Sequence, residues 1–263
     1  MEAGNIEKYR AIDTDMKISA CIVIYNEKFE VLKRVIESFL ELKYEKELII
    51  VDNSQTDRMR FFLKKYSLRY IHTADNIGFA SAHNLGYSHI SINADLHLVL
   101  NPDIYFYKNE MEGLLDWMVQ NKEIVLCTPD VLNPDGSQQY VVRKIPTICN
   151  IVLRKLKIDY GELHIKKNSI EEIPFAHGCC LIFQSDIYRR LNGFDERFFL
   201  YMEDADIFLR AKRYGKTVIN TNYSIFHEWR RESSRKFKIL FLHIYALLKF
   251  TIKYNICYDY TQL

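Results

Sequence analysis

Three acids fall close together at Glu203, Asp204 and Asp206, directly after the apolar run Phe198-Phe199-Leu200-Tyr201-Met202. A carboxylate at the edge of an apolar pocket is a good general base, because desolvation raises its proton affinity. A plainer account competes. Acids in the first turn of a helix are favoured by the helix dipole, by roughly 0.3–1 kcal/mol. Asp206 also stands four residues before Arg210, a stabilising helical pair. The dipole does not explain why the acids gather beside apolar residues, so Glu203 and Asp204 are the candidates for proton transfer.

A second carboxylate, Asp103, closes Asn101-Pro102-Asp103 after the run Leu96–Leu100. One acid at a strand end could hold Mg²⁺ or Mn²⁺ together with diphosphate oxygens; an Asx-Pro turn that merely breaks the strand would look the same. His227 ends the strand-like Tyr223–Phe226. Neutral imidazole would suit Mn²⁺ as a partner to Asp103, although a lone histidine is more often structural. Arg230, Arg231 and Arg235 follow it and could grip diphosphate oxygens or form a solvated turn. Asp52-Asn53 could accept from a ribose hydroxyl or a base N–H, or bond its own backbone.

These residues need a scaffold that brings them together. Ile18–Tyr25 is a nearly continuous apolar, β-branched run, the pattern of a strand buried on both faces. Glu27–Leu42 carries apolar residues at helical spacing. Leu48–Val51 reads as a strand, Asp57–Tyr66 as a helix, Leu68–His72 as a strand, Gly78–Ile90 as a helix and Leu96–Leu100 as a strand. This alternation predicts an α/β, doubly wound, mostly parallel sheet of one large domain. Ligands in such sheets bind beyond the carboxyl ends of the strands, where Tyr25-Asn26, Asp52-Asn53 and Asn101-Asp103 should converge. No G-x-G-x-x-G follows the first strand, so something other than a glycine loop must neutralise phosphates.

The second half is more mixed. Asn133-Pro134-Asp135-Gly136 is a turn between strand-like segments, and Ile145–Asn168 reads as a helix and an excursion. Ile173–Phe183 returns to strand character. Ser185 is placed as the cap of a short helix through Leu191, ended by Asn192-Gly193. Glu203–Tyr214 reads as a helix closed by Gly215. From Arg235 to Tyr254, the residues Phe237, Leu240, Phe241, Ile244 and Leu248 share a helical face, with Lys236, Lys238, Lys249 and Lys253 adding charge. Packing of that face on the domain is the expectation, with contact to a membrane surface at the tip as the alternative. The boundaries read as an extension over 1–17, a main domain over 18–234 divided at 103/104, and a tail over 235–263.

Composition narrows the class. The chain has 263 residues, is 48% hydrophobic and has 36 basic against 34 acidic residues, a net charge of +2. That balance gives no signal for nucleic acid as a partner. Cys21, Cys127, Cys149, Cys179, Cys180 and Cys257 mostly sit in apolar runs with no C-x-x-C pair, as expected of buried thiols in a reducing cytosol. The polar N-terminus lacks a secretory core, and no run of roughly 18 apolar residues suggests a membrane span. A cytoplasmic location, peripheral at the inner membrane face, is expected.

Taken in order, Ile22–Asn26, Ile50–Asp57, Asn76-Ile77-Gly78-Phe79-Ala80 with Asn84-Leu85-Gly86, Leu100–Asp103, Gly193–Glu196 and Phe198–Asp206 resemble glycosyltransferase family 2 of the GT-A fold, in particular its bacterial rhamnosyltransferases. The resemblance implies an inverting, metal-dependent transferase using a nucleotide diphosphate sugar, dTDP-rhamnose above all, with a lipid-linked or polysaccharide acceptor in cell-surface glycan synthesis. It implies Asp204 as base with Glu203 positioning the acceptor. Asp103 and His227 would bind Mg²⁺ or Mn²⁺. Tyr25, Asn26, Asp52, Asn53, Asn76, Gly78, Asn84, Asn101 and Arg230 would surround the nucleotide sugar. Asn101 stands where the family's D-x-D has its first acid, which leaves one carboxylate for the cation. The alternatives are a UDP-sugar donor, a sugar nucleotidyltransferase, which would need a basic glycine-rich loop where Asn26-Glu27-Lys28-Phe29 stands, and a non-catalytic nucleotide-sugar-binding scaffold protein.

Overall fold

A computed structural model describes residues 15–147, 161–228 and 236–254, the side chains of 236–240 excepted. The first half alternates β1 (Lys17–Ile24), α1 (Phe29–Leu40), β2 (Glu45–Asp52), α2 (Met59–Leu63), β3 (Arg69–His72), α3 (Phe79–Ser88) and β4 (Leu96–Leu100). β5 (Ile104–Tyr105), α4 (Lys108–Gln120), β6 (Ile124–Leu132), β7 (Val142–Arg143), β8 (Ile170–Glu172), β9 (Phe175–Ala176) and β10 (Cys180–Gln184) follow. α5 (Ser185–Arg190), α6 (Glu203–Ala211), β11 (Lys216–His227) and α7 (Lys236–Tyr254) complete the described elements.

The central sheet runs β3-β2-β1-β4-β10-β6-β11-β5, with β8 beside β11. β1 pairs in parallel with β2 and β4, and β2 with β3, as the alternation predicts. β10 is threaded antiparallel between β4 and β6, and β11 lies parallel to β6. The sheet is therefore mostly parallel, with β10 joining its two halves.

Alternate residues of β1 face opposite layers, as period-two pleating requires. Ile18, Ala20, Ile22 and Ile24 share the main core with Leu32, Val35, Ile36 and Phe39 of α1, whereas Cys21 packs with Ile49, Val51 and Ala82 of α3. Full burial of one such side chain is worth about 1.5–3 kcal/mol. Gly86 lets α3 settle on β1, since a Cβ there would run into Cys21 Sγ. Cys21, Cys127, Cys179 and Cys180 are all buried and free, so the adjacent pair forms no disulfide.

Several second-half expectations need correction. α4, whose Met111, Leu114, Leu115 and Met118 are buried, was not assigned from sequence. Ser185 is not a cap: α5 starts on it, without a side-chain cap bond, and its N–H donates to the Asp95 carbonyl at 2.9 Å. Asn192 and Gly193 do end α5, both at positive φ. α6 ends at Ala211, before a turn that reaches Tyr214. Of the helix expected within Ile145–Asn168, residues 148–160 lie outside the described residues, and 161–168 contain none.

The tail is helical but oriented differently from the expectation. Ala246, Leu247 and Phe250 pack inward. Phe241, Ile244 and Leu248, expected to pack, point outward with Tyr245 and Ile252; Phe241 is 70% exposed and Ile252 80%. Lys249 donates to the Arg197 carbonyl at 2.8 Å, and Lys253 binds the Asp195 and Asp206 carboxylates, so both turn back toward the domain. Lys236 and Lys238 have side chains outside the described residues. Among the described residues no helix is long and apolar enough to cross a membrane.

Candidate active site

The site is built on the ends of β4, β11 and β10 and the start of α6. Asn101 N–H donates to the Cys179 carbonyl at 2.9 Å, tying the strand end that carries Asp103 to the entry of β10. On the other side, the backbone N–H of Gly178 bonds the Asp204 carboxylate. A Cβ added to Gly178 would stand 3.8 Å from Asp204 Cβ. Gly178-Cys179 is thus a floor shared by both carboxylates. Burial first, and then the Asp103 charge with a smaller contribution from Asp204, push the Cys179 thiol up to about 12. Both acids thus lie close enough to Cys179 to act on its thiol.

Asp204 is a carboxyl of raised proton affinity. Burial lifts it to about 6, against the opposing pull of hydrogen bonds from the backbone N–H groups of Ala205, Asp204 and Gly178. Glu203 is buried, its Oε2 lacks a hydrogen-bond partner, and burial followed by the Asp204 charge pushes it well above the usual carboxylate range. Burial thus raises the proton affinity of both acids. The turn before them is strained: Tyr201 and Met202 are both left-handed, with φ of 73° and 71°. That conformation costs about 1–2 kcal/mol for a residue with a side chain, which the surrounding packing must offset. Strain of this kind collects at functional sites.

Asp206 is more than a dipole partner. It is fully buried and accepts from Arg210 Nε at 2.8 Å, from Tyr254 OH at 2.6 Å and from Lys253. The same Arg210 donates to the carbonyls of Leu191 and Gly193. This hub fixes α6, and so Asp204, against the 191–193 turn and α7.

His227 Nε2 lies 3.3 Å from Asp103 Oδ1, and its Nδ1 is 3.0 Å from Gln139 Oε1. The backbone reinforces the pairing, because Glu228 N–H donates to the Asp103 carbonyl at 2.9 Å. Cis ligands of an octahedral ion at about 2.1 Å stand roughly 3 Å apart, so this separation suits one divalent cation held by both. An oxygen and an imidazole nitrogen form a donor set that suits Mn²⁺. Among the described residues no group of three or more metal-ligating side chains exists. Both side chains are partly exposed.

The remaining candidates divide into those that face the crevice and those that build it. Tyr25 is 42% exposed just beyond β1, and Asn26 adopts a φ of 55° with its N–H on Ser54 Oγ at 2.8 Å. Asp52 is fully buried: Oδ1 accepts Ser54 N–H at 2.9 Å and Oδ2 accepts Tyr70 OH at 2.7 Å, the backbone-bonding geometry weighed against a base contact. Asn53 donates to the Gly78 carbonyl at 3.1 Å, and Asn76 Oδ1 accepts Gly78 N–H at 3.0 Å. Gly78 holds a φ of 89°, and a Cβ there would come within 2.7 Å of the Phe199 carbonyl. Phe79 N–H donates to that carbonyl at 2.9 Å. The Asn76–Phe79 segment therefore clamps the strand of chain that leads into Glu203. Asn84 has its amide taken up by Phe194 N–H at 2.8 Å, the Phe194 carbonyl at 2.9 Å and Glu196 at 3.0 Å, which fixes the loop before the clamp. Arg230 lies outside the described residues. Sequence reading missed Gly178 and Gln139. An isolated glycine within a strand-like run is a signal of close backbone approach, and Gln139 left only its place after the Asn133–Gly136 turn.

Comparison with known proteins places this architecture. The chain is 27% identical over 169 residues to the low-salt glycan biosynthesis hexosyltransferase Agl10 of Haloferax volcanii, covering 64% of this chain and 53% of that protein. It is 24% identical over 190 residues to N-acetylglucosaminyl-diphospho-decaprenol L-rhamnosyltransferase of Mycobacterium tuberculosis, covering 64% and 61%. Rhamnosyltransferase WbbL of Escherichia coli is 22% identical over 205 residues, covering 74% and 76%. The chain thus matches little more than half the length of the first two. Among solved structures, GalNAc-T7 with UDP, GalNAc and Mn²⁺ superposes with a TM-score of 0.64 at 17% identity, over 82% of this chain and 44% of that one. Mannosyltransferase PcManGT from Pyrobaculum calidifontis, in complex with GDP-Man and Mn²⁺, gives 0.61 at 13%, over 90% and 64%. These likenesses establish the GT-A fold. Residues 19–191 match the family profile for glycosyl transferase family 2, and with well over half of its length so matched, this chain belongs to that family.

Proposed function

We propose that the chain is an inverting glycosyltransferase that moves a sugar from a nucleoside diphosphate onto an acceptor hydroxyl. The observation that carries this reading is the Gly178-Cys179 floor, which holds a base-like Asp204 on one side and the Asp103–His227 pair on the other. The acceptor O–H attacks the anomeric carbon, its proton passes to Asp204, and the bond to the diphosphate breaks. One displacement inverts the anomeric centre. Asp103 and His227 would hold a divalent cation, which when bound supplies Lewis-acid stabilisation of the charge on the departing diphosphate. Glu203, beside Asp204, would position the acceptor. Tyr25, Asn26 and the Asp52–Ser54 turn line the proposed nucleoside pocket, with Asp52 shaping the turn from beneath.

Two relatives named as rhamnosyltransferases favour dTDP-L-rhamnose as donor, and the decaprenol-linked substrate in the name of one favours a lipid-linked acceptor at a membrane surface. The UDP and GDP-mannose in the GT-A neighbours keep other donors as the second reading. A thermal-shift screen of dTDP, UDP and GDP, each with and without Mn²⁺, tests both. dTDP with Mn²⁺ is expected to raise the melting temperature most, since saturation at 100 times Kd is worth about 2.7 kcal/mol. A larger response to UDP reassigns the donor, and no response to any nucleotide sinks the transferase reading.

The outward stripe Phe241, Ile244, Tyr245, Leu248 and Ile252 on α7 is our candidate for the lipid-facing surface. Spacing of three or four residues with aromatics suits insertion at a bilayer interface. The wild-type chain is expected to sediment with phospholipid vesicles, and Phe241→Ser with Ile252→Ser to stay in solution. Equal sedimentation of the two would remove α7 from that role.

A further inference from the structure

Gln139 is a buried amide that no part of the proposed chemistry uses, yet it makes three directed bonds at the cation pair. Its Nε2 donates to the His227 backbone carbonyl at 2.8 Å and to Asn133 Oδ1 at 2.7 Å. A backbone carbonyl only accepts, so the amide orientation is fixed, with nitrogen toward that carbonyl and oxygen toward the ring. Gln139 Oε1 then faces His227 Nδ1 at 3.0 Å, and an amide oxygen only accepts. Nδ1 must carry hydrogen. In the neutral ring this leaves a lone pair on Nε2, the nitrogen that stands 3.3 Å from Asp103 Oδ1. A ring so oriented presents Nε2 and the Asp103 carboxylate to one shared cation position.

We propose that Gln139 is the positioning residue of the cation site: it sets the tautomer and ring orientation of His227 so that Nε2 faces the position shared with Asp103. Asn133, which accepts from Gln139 and donates to Ser137 Oγ at 2.8 Å, extends the support into the Asn133–Gly136 turn. That gives the turn a task beyond reversing the chain. The inference rests on the cation reading above, but the tautomer can be measured without any cation.

The test compares the wild-type chain with Gln139→Leu and Gln139→Glu. Glutamate retains an acceptor for Nδ1–H; leucine retains the bulk alone. In metal-free protein, ¹⁵N-resolved imidazole spectra should show His227 protonated on Nδ1 in wild type and in Gln139→Glu, with the Nε2–H form appearing in Gln139→Leu. Mn²⁺ affinity, followed by electron paramagnetic resonance with dTDP present, should fall about 10- to 100-fold in Gln139→Leu, the usual effect of losing an outer partner of a ligating histidine. It should remain near wild type in Gln139→Glu, which separates this role from general damage to the fold. A wild-type ring protonated on Nε2, or an unchanged Mn²⁺ affinity in Gln139→Leu, overturns the proposal. A wild-type chain that binds no Mn²⁺ with dTDP overturns the cation reading instead, and the tautomer then still decides whether Gln139 sets the ring.

Discussion

Asp204→Asn is expected to lower the transfer rate by about 10²- to 10⁴-fold, the usual worth of a positioned general base, and to leave donor affinity unchanged. Asparagine keeps the shape and the acceptor oxygen that meets the Gly178 N–H, but cannot take the acceptor proton. The pH profile gives a second readout. Burial raises Asp204 to about 6, so wild-type kcat/KM should fall about tenfold per unit below pH 6, and the residual activity of the variant should lack that limb. Stability should move the other way. A carboxyl whose folded pKa is raised favours the folded state when protonated, and that contribution is lost as pH rises through about 6. Asparagine removes the cost of holding the charge, so the variant should melt a few degrees above wild type at pH 8 and show little difference at pH 4. A variant that loses dTDP binding together with activity, or that melts lower at pH 8, would remove Asp204 from the role of base.

The first half of the fold was legible because its strands are continuous apolar runs with local crossovers. Ile18–Ile24 and Leu96–Leu100 need no distant information to be read as buried strands. The antiparallel insertion of β10 between β4 and β6 was not legible, because pairing Cys180 with Leu100 joins segments far apart in sequence. That insertion sets Cys179 beside the strand end that carries Asp103 and Gly178 beside Asp204, so sequence could name both acids but could not relate them. α4 was readable in principle from Met111, Leu114, Leu115 and Met118 at helical spacing, but Lys108, Asn109 and Glu110 open it without a capping residue. The outward face of α7 could not be told from its inward one by periodicity, since both are apolar; the ion pairs of Lys253 with Asp195 and Asp206 decide it. Asn84 had the same limitation. Its motif was visible, but its use in holding Phe194 and Glu196 rather than lying open toward a donor depends on a contact with a distant loop.

Asp103→Ala is expected to abolish the Mn²⁺-dependent part of dTDP binding, a loss of at least about 100-fold in affinity with Mn²⁺ and none in chelator. The magnitude follows from ligand count: two protein ligands hold the proposed ion, and removing the only carboxylate should cost more than the 10–100-fold typical of an outer partner. The structure also separates this role from that of a strand-ending turn. Asp103 binds Glu228 through its backbone carbonyl, which alanine keeps. Its carboxylate instead stands 3.3 Å from His227 Nε2. The metal-free variant should keep its fold, while the extra stabilisation by dTDP with Mn²⁺ disappears. A turn residue predicts an intact response to Mn²⁺ and nucleotide. The response to Mn²⁺ and nucleotide in melting curves on folded protein therefore decides whether β4 ends in a cation ligand or in a turn.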